Sequence, residues 1–81
     1  MIERDEIREK LRKLMADTFD LDDLSIVDAT TAADIEEWDS LSHIRLMVAV
    51  ERAFGFRLSN AEIAGLNNVG DLVTAIHRKA A

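Results

Sequence analysis

Apolar residues recur with a helical period over most of this chain, and charge takes over where they do not. Ile7, Leu11, Leu14, Met15 and Thr18 fall three or four positions apart and form one stripe. They predict a first helix over residues 3–17, with Glu6–Lys10 and Glu9–Lys13 at the favourable i,i+4 spacing. The period is lost over residues 18–39, a long connection that still carries Phe19, Leu21, Leu24, Ile26, Val27, Ile35 and Trp38. A loop with that much apolar content should be pinned to the core. A second helix is expected over Ser40–Phe54, with Asp39 as its N-cap and Gly55 as its stop. Trp38 then precedes the cap and can pack on His43 one turn in, as a hydrophobic staple does. Ser59-Asn60-Ala61-Glu62 has the form of a capping box and predicts a short third helix limited by Gly65. The last helix is expected over residues 68–79, with Asp71 in its first turn and Val69, Leu72, Val73 and Ile76 as its buried stripe. The β-strand signal is weak. The expected fold is all-α, a small four-helix bundle of three main helices and one short one, with a long first loop.

The second helix has more apolar surface than a bundle needs. At ~100° per residue, Leu46, Met47, Val50 and Phe54 share one arc, with Ala49 and Ala53 beside it. Leu41, Ile44 and Val48 gather on roughly the opposite side. Either the long loop covers this second strip, or it is a docking strip flanked by Arg45, Glu51 and Arg52. Burying three aliphatic side chains against a partner would contribute a few kcal/mol at roughly 25 cal/mol per Å², before association entropy is charged. That suits a transient contact.

Composition narrows the function classes. The chain has 81 residues, enough for one small domain, and we read residues 1–81 as that single domain. It has no cysteine, so neither disulfides nor thiolate metal sites are available. The charged N-terminal segment is unlike a secretory signal, and no apolar run suits a membrane span, which makes a cytoplasmic protein the expectation. Of the 16 acidic residues, half lie in residues 18–39, where no Lys or Arg occurs: Asp20, Asp22, Asp23, Asp28, Asp34, Glu36, Glu37 and Asp39. With a net charge of −6, this segment repels nucleic acid and attracts basic protein surfaces.

Candidate chemistry is sparse. Asp20, Asp22 and Asp23 have the wrong spacing for a calcium loop, with Leu24 in a ligand position and no glycine following. His43 and His77 are far apart and lack a cysteine partner, so no metal site is expected. His43 lies on the core side of the second helix and should be a packed imidazole. Asp39, Ser40 and His43 are too close along one helix start to form a hydrolytic triad. The three methionines, Met1, Met15 and Met47, read as core or terminal residues. Ser40 remains. A serine at a helix start is usually a cap, but Asp39 already fills that role. The helix N-terminus tolerates an attached phosphodiester, and the second apolar strip begins at the next residue.

The segment Asp34-Ile35-Glu36-Glu37-Trp38-Asp39-Ser40-Leu41 resembles the attachment motif of the acyl carrier and peptidyl carrier proteins. The resemblance continues through Ile44-Arg45-Leu46-Met47, Ala49-Val50-Glu51, Phe54-Gly55-Phe56-Arg57-Leu58, Val69 and Asp71-Leu72, and so spans the chain. It implies that Ser40 receives a 4′-phosphopantetheine arm from coenzyme A, installed by a separate phosphopantetheinyl transferase. Asp39 and Leu41 match the flanking positions that the transferase reads. The arm's thiol then holds an acyl group as a thioester, which fits a chain without cysteine. Ile44, Val48 and Glu51 match positions facing partner enzymes, with Arg45 and Arg52 on the same outer surface. The implied partners are the transferase, an acyl- or aminoacyl-loading ligase or synthase, and a downstream acyltransferase or synthase. The chain reads as a monomeric carrier of the stand-alone type, and not itself an enzyme. Arg45 and Arg52 depart from the acidic outer face of the housekeeping fatty-acid carriers, and Trp38 is not their common form. Fatty-acyl, polyketide and aminoacyl cargoes all stay open. So does a helical interaction module without a prosthetic group, or a simple phosphoserine at Ser40.

Overall fold

Four α-helices carry the chain: α1 (Arg4–Phe19), α2 (Ser40–Phe54), α3 (Asn60–Ala64) and α4 (Val69–Ala80). They are seen in a computed structural model that describes residues 3–80. No strand occurs among those residues. Helix α1 packs against both α2 and α4. Its stripe, Ile7, Leu11 and Met15, is fully buried and meets Leu46, Met47 and Val50 of α2 and Val69, Leu72, Val73 and Ile76 of α4. The core is therefore the common side of the three long helices, as the periodicity predicts. Met15 and Met47 belong to it, while Met1 lies outside the described residues.

Helix α1 runs past the expected end at residue 17. Phe19 lies one turn after Met15, continues the stripe and is buried. Asp20 then takes a left-handed conformation at φ 56°, and the Leu21 amide donates back to the Ala16 carbonyl at 2.9 Å. This is the stop usually given to glycine, here held by an aspartate. The expected ion pairs on α1 are replaced by others. Glu9 pairs with Arg12 at 2.6 Å, Arg8 with Asp5 at 2.9 Å, and Lys10 lies over the Phe54 ring at 5.1 Å. The planar guanidinium takes a carboxylate through several N–H groups, which a lysine cannot match.

The long connection is pinned as its apolar content requires. Leu24, Ile35 and Trp38 are buried, and Leu21 and Ile26 are partly so, whereas Val27 is exposed. An unexpected short 3₁₀ turn, Ala32–Asp34, lies within it, where the Asp34 carboxylate accepts the Thr31 amide at 2.9 Å. Asp28 fastens the middle of the connection. It pairs with Arg8 at 2.9 Å and Arg4 at 3.4 Å, and these guanidiniums hold its carboxyl below the usual range, Arg8 most of all. The Asp28 and Thr30 carbonyls accept the Gly70 and Val69 amides, each at 2.8 Å, so the loop caps the start of α4. A Cβ on Gly70 would lie 3.1 Å from Asp28, which is why the smallest residue stands there.

Candidate functional site

Asp39 sets the geometry of the site. Its backbone is extended, and its carboxylate accepts the Ser42 amide at 2.9 Å while its carbonyl accepts the His43 amide at 2.8 Å. The Ser42 amide, followed by the Ser42 hydroxyl and the Leu41 amide, holds the Asp39 carboxyl below its usual value. One orphan donor of the helix start is thereby satisfied without Ser40. Ser40 is the first residue of α2 and is exposed.

Trp38 fixes where this exposed start stands. It is only 7% exposed, its ring lies 6.1 Å from Phe19, and its indole Nε1–H donates to His43 Nδ1 at 3.0 Å. The expected staple is thus also a hydrogen bond. His43 is half-buried, as its arc predicts, and desolvation pushes its imidazole below the ordinary value.

A cavity of about 480 Å³ opens beside Ser40. Trp38, Asp39, Ser40 and His43 form one side, and Ala32, Leu66, Asn67, Asn68 and Leu72 form the rest. The second side was not foreseen. Its signal was the pair Asn67-Asn68 between the Gly65 stop and the buried stripe of α4. There the Asn68 side-chain oxygen caps the helix by accepting the Asp71 amide at 2.8 Å.

The second apolar strip of α2 is open to solvent. Leu41 is 60% exposed, Ile44 62% and Val48 43%, so the long loop does not cover them. Arg45 and Arg52 are exposed on the same outer surface. Val48, Glu51 and Arg52 also border a shallow depression with Phe56 and Arg57, which adds a third arginine to that end. Glu51 is only half-exposed, and one of its oxygens accepts the Leu58 amide at 2.8 Å. It therefore shapes the turn after α2 while standing at the edge of the strip. Ser40 stands at the start of α2, the strip runs from Leu41 to Val48 with Arg45 beside it, and Arg52 and Arg57 lie at and just beyond the far end.

Comparison with known proteins gives this arrangement a family. The family model described as a phosphopantetheine attachment site matches residues 9–76. An acyl carrier protein of Thermosynechococcus vestitus is 32% identical over 94% of this chain and 94% of its own length. An acyl carrier protein of Thermotoga maritima is 27% identical over 98% of each chain. The polyketide-8 synthase acyl carrier protein 2 of Streptomyces avermitilis is 32% identical over 76% of this chain and 71% of its own. Among solved structures, the holo acyl carrier protein of Geobacter metallireducens superposes with a TM-score of 0.85 at 34% identity, covering 90% of this chain and 84% of that one. With an exposed serine behind a capping aspartate, four helices that superpose on a solved acyl carrier protein and a family match over most of its length, this chain belongs to the phosphopantetheine-attachment family of acyl carrier proteins.

Proposed function

We propose that Ser40 is the residue that takes the 4′-phosphopantetheine arm, and that the chain carries acyl groups through the reactions of separate enzymes. The observation that carries this reading is the division of labour at the start of α2. Asp39 supplies the cap, so the Ser40 hydroxyl is exposed and has no structural duty. The residues present fit the group. The first turn of α2 turns its positive dipole end toward a phosphodiester, and the cavity beside it leaves room for the arm's first atoms. When bound, the arm supplies a thiol that can hold an acyl group as a thioester.

In the attachment step the Ser40 oxygen bonds to the phosphorus next to the pantetheine of coenzyme A. The bond from that phosphorus to the bridging oxygen breaks, the adenosine bisphosphate portion leaves, and the transferase takes the serine proton. Asp39 and Leu41 flank the reacting hydroxyl and are the positions that we assign to recognition by the transferase. Ile44 and Val48 offer apolar contact to partner enzymes, with Arg45, Arg52 and the edge of Glu51 setting the charge around it. The partners in this reading are the transferase, a loading ligase or synthase, and a downstream acyltransferase or synthase. The reading puts a monomeric carrier in the cytoplasm, beside the coenzyme A that it needs. Tethering raises the cargo's effective concentration at each partner site.

The test is intact mass after incubation with coenzyme A and a broad-specificity phosphopantetheinyl transferase. The expected result is the gain of one phosphopantetheine group, absent in Ser40→Ala. No gain, or a gain that survives Ser40→Ala, sinks the reading. Competition among fatty-acyl, ketoacyl and aminoacyl donors for the modified protein would then separate the cargo classes.

A further inference from the structure

Attachment at Ser40 uses the hydroxyl and the helix start, but leaves unexplained the other side chains that line the cavity. Three of them are polar: His43, Asn67 and Asn68. The Asn68 side-chain oxygen is occupied by the Asp71 amide at 2.8 Å, which leaves its NH₂ as the free group. His43 is more tightly defined. An indole N–H can only donate, so the Trp38–His43 bond at 3.0 Å requires His43 Nδ1 to accept. The neutral ring must then carry its proton on Nε2, which has no hydrogen-bond partner among the described residues. Burial favours the same neutral form, and Trp38 is itself buried, so the ring is held from behind. Apart from Asp39 and Ser40 at the helix start, the remaining walls are apolar: Ala32, Leu66, Leu72 and the Trp38 ring. A volume of about 480 Å³ is within the ~300–1,000 Å³ usual for small-molecule sites.

A cavity that combines apolar walls with side-chain donors, beside an exposed serine, matches a chain that alternates hydrocarbon with carbonyl groups. We infer that His43 is a positioning residue for the chain that Ser40 carries: its Nε2–H, oriented by Trp38, donates to a carbonyl oxygen of that chain where it crosses the cavity. The inference rests on the reading of Ser40 as the attachment point. Two sources of carbonyl are available, an amide of the arm and the thioester of the cargo, and loading different groups distinguishes them.

The experiment is heteronuclear NMR of the His43 imidazole in four forms: unmodified, arm with free thiol, arm S-acetylated, and arm S-ethylated. Intact mass verifies each form. The unmodified protein should hold the Nε2–H tautomer. Loading should move the Nε2–H resonance downfield and slow its exchange with water roughly fivefold, the factor an ordinary net hydrogen bond gives. An effect present with the free thiol and equal in the acetyl and ethyl forms assigns the acceptor to the arm's amides. An effect confined to the acetyl form assigns it to the thioester carbonyl. Trp38→Phe should release the tautomer and reduce the protection. Should that variant not fold, the four wild-type forms decide the matter alone. An Nδ1–H tautomer in the unmodified protein overturns the inference, as does an unchanged imidazole across three forms whose mass proves modification at Ser40. Failure of the mass shift itself would instead remove the attachment reading, and this inference with it.

Discussion

Asp39 and Ser40 share the start of α2, and substitution should separate their roles. Ser40→Ala should abolish modification and leave the unfolding midpoint where it was, since the hydroxyl caps nothing. Asp39→Ala should lower the midpoint by a few degrees, as cap loss does in a domain this small, whereas Asp39→Asn should keep most of the stability. Thermal melts followed by circular dichroism check all three. The cap also has a pH signature. The Asp39 carboxyl is held below the 3.8 of a free aspartate, so its contribution is complete above that value and fades as the pH falls through the lower folded value. Much of this was legible in the sequence, because a cap, a staple and a stop are local patterns: Asp39, Trp38 and Gly55 stand where those patterns require. What local pattern could not supply is the atom-level pairing of Trp38 with His43. That bond depends on how far the ring sinks toward Phe19, which the tertiary fold decides.

Helix α2 works on two sides, and its sides should respond differently to the same kind of change. Ile44→Asp removes an apolar group from solvent-exposed surface, so stability should stay within about 0.5 kcal/mol of wild type. Turnover by partner enzymes should fall, read as a lower loading rate with modification at Ser40 retained. By contrast, Val50→Ala on the core side should cost roughly 1–3 kcal/mol by urea unfolding, since Val50 is fully buried. The periodicity resolved these two sides, but not whether the loop covers the outer one, because coverage is a non-local fact. The end of α1 lies two residues past its expected place for a related reason. Thr18 looked like the last member of the stripe, yet Phe19 is the buried residue, and only the left-handed Asp20 ends the helix. Asp20→Gly should relieve that conformation and raise stability by up to about 1 kcal/mol.

At the scale of the whole molecule, charge is sorted along the surface. The connection between α1 and α2 is acidic, while Arg45, Arg52 and Arg57 stand on and just beyond α2. A partner with a basic region near Ser40 and an acidic one farther along α2 would dock in one orientation, with salt-dependent association. The architecture was legible as four helices because each buries one stripe. The contacts that hold the connection were not, since Arg4 and Arg8 are far from Asp28 in sequence and gave no local sign of meeting it. That junction sets how the protein tolerates change in length. Asp28 is tied to α1 through the two arginines and to α4 through Gly70, so the connection behaves as two shorter spans sharing a fixed post. Glycines inserted between Asp22 and Asp23 would lengthen only the first span, at a closure cost that grows slowly with length. Trp38 and Ser40 would keep their register. The same insertion between Glu36 and Glu37 would fall beyond the post, next to the buried Trp38, and should displace the serine from its cavity. The first span is thus the place where a tag or sensor can be spliced into a carrier that still works.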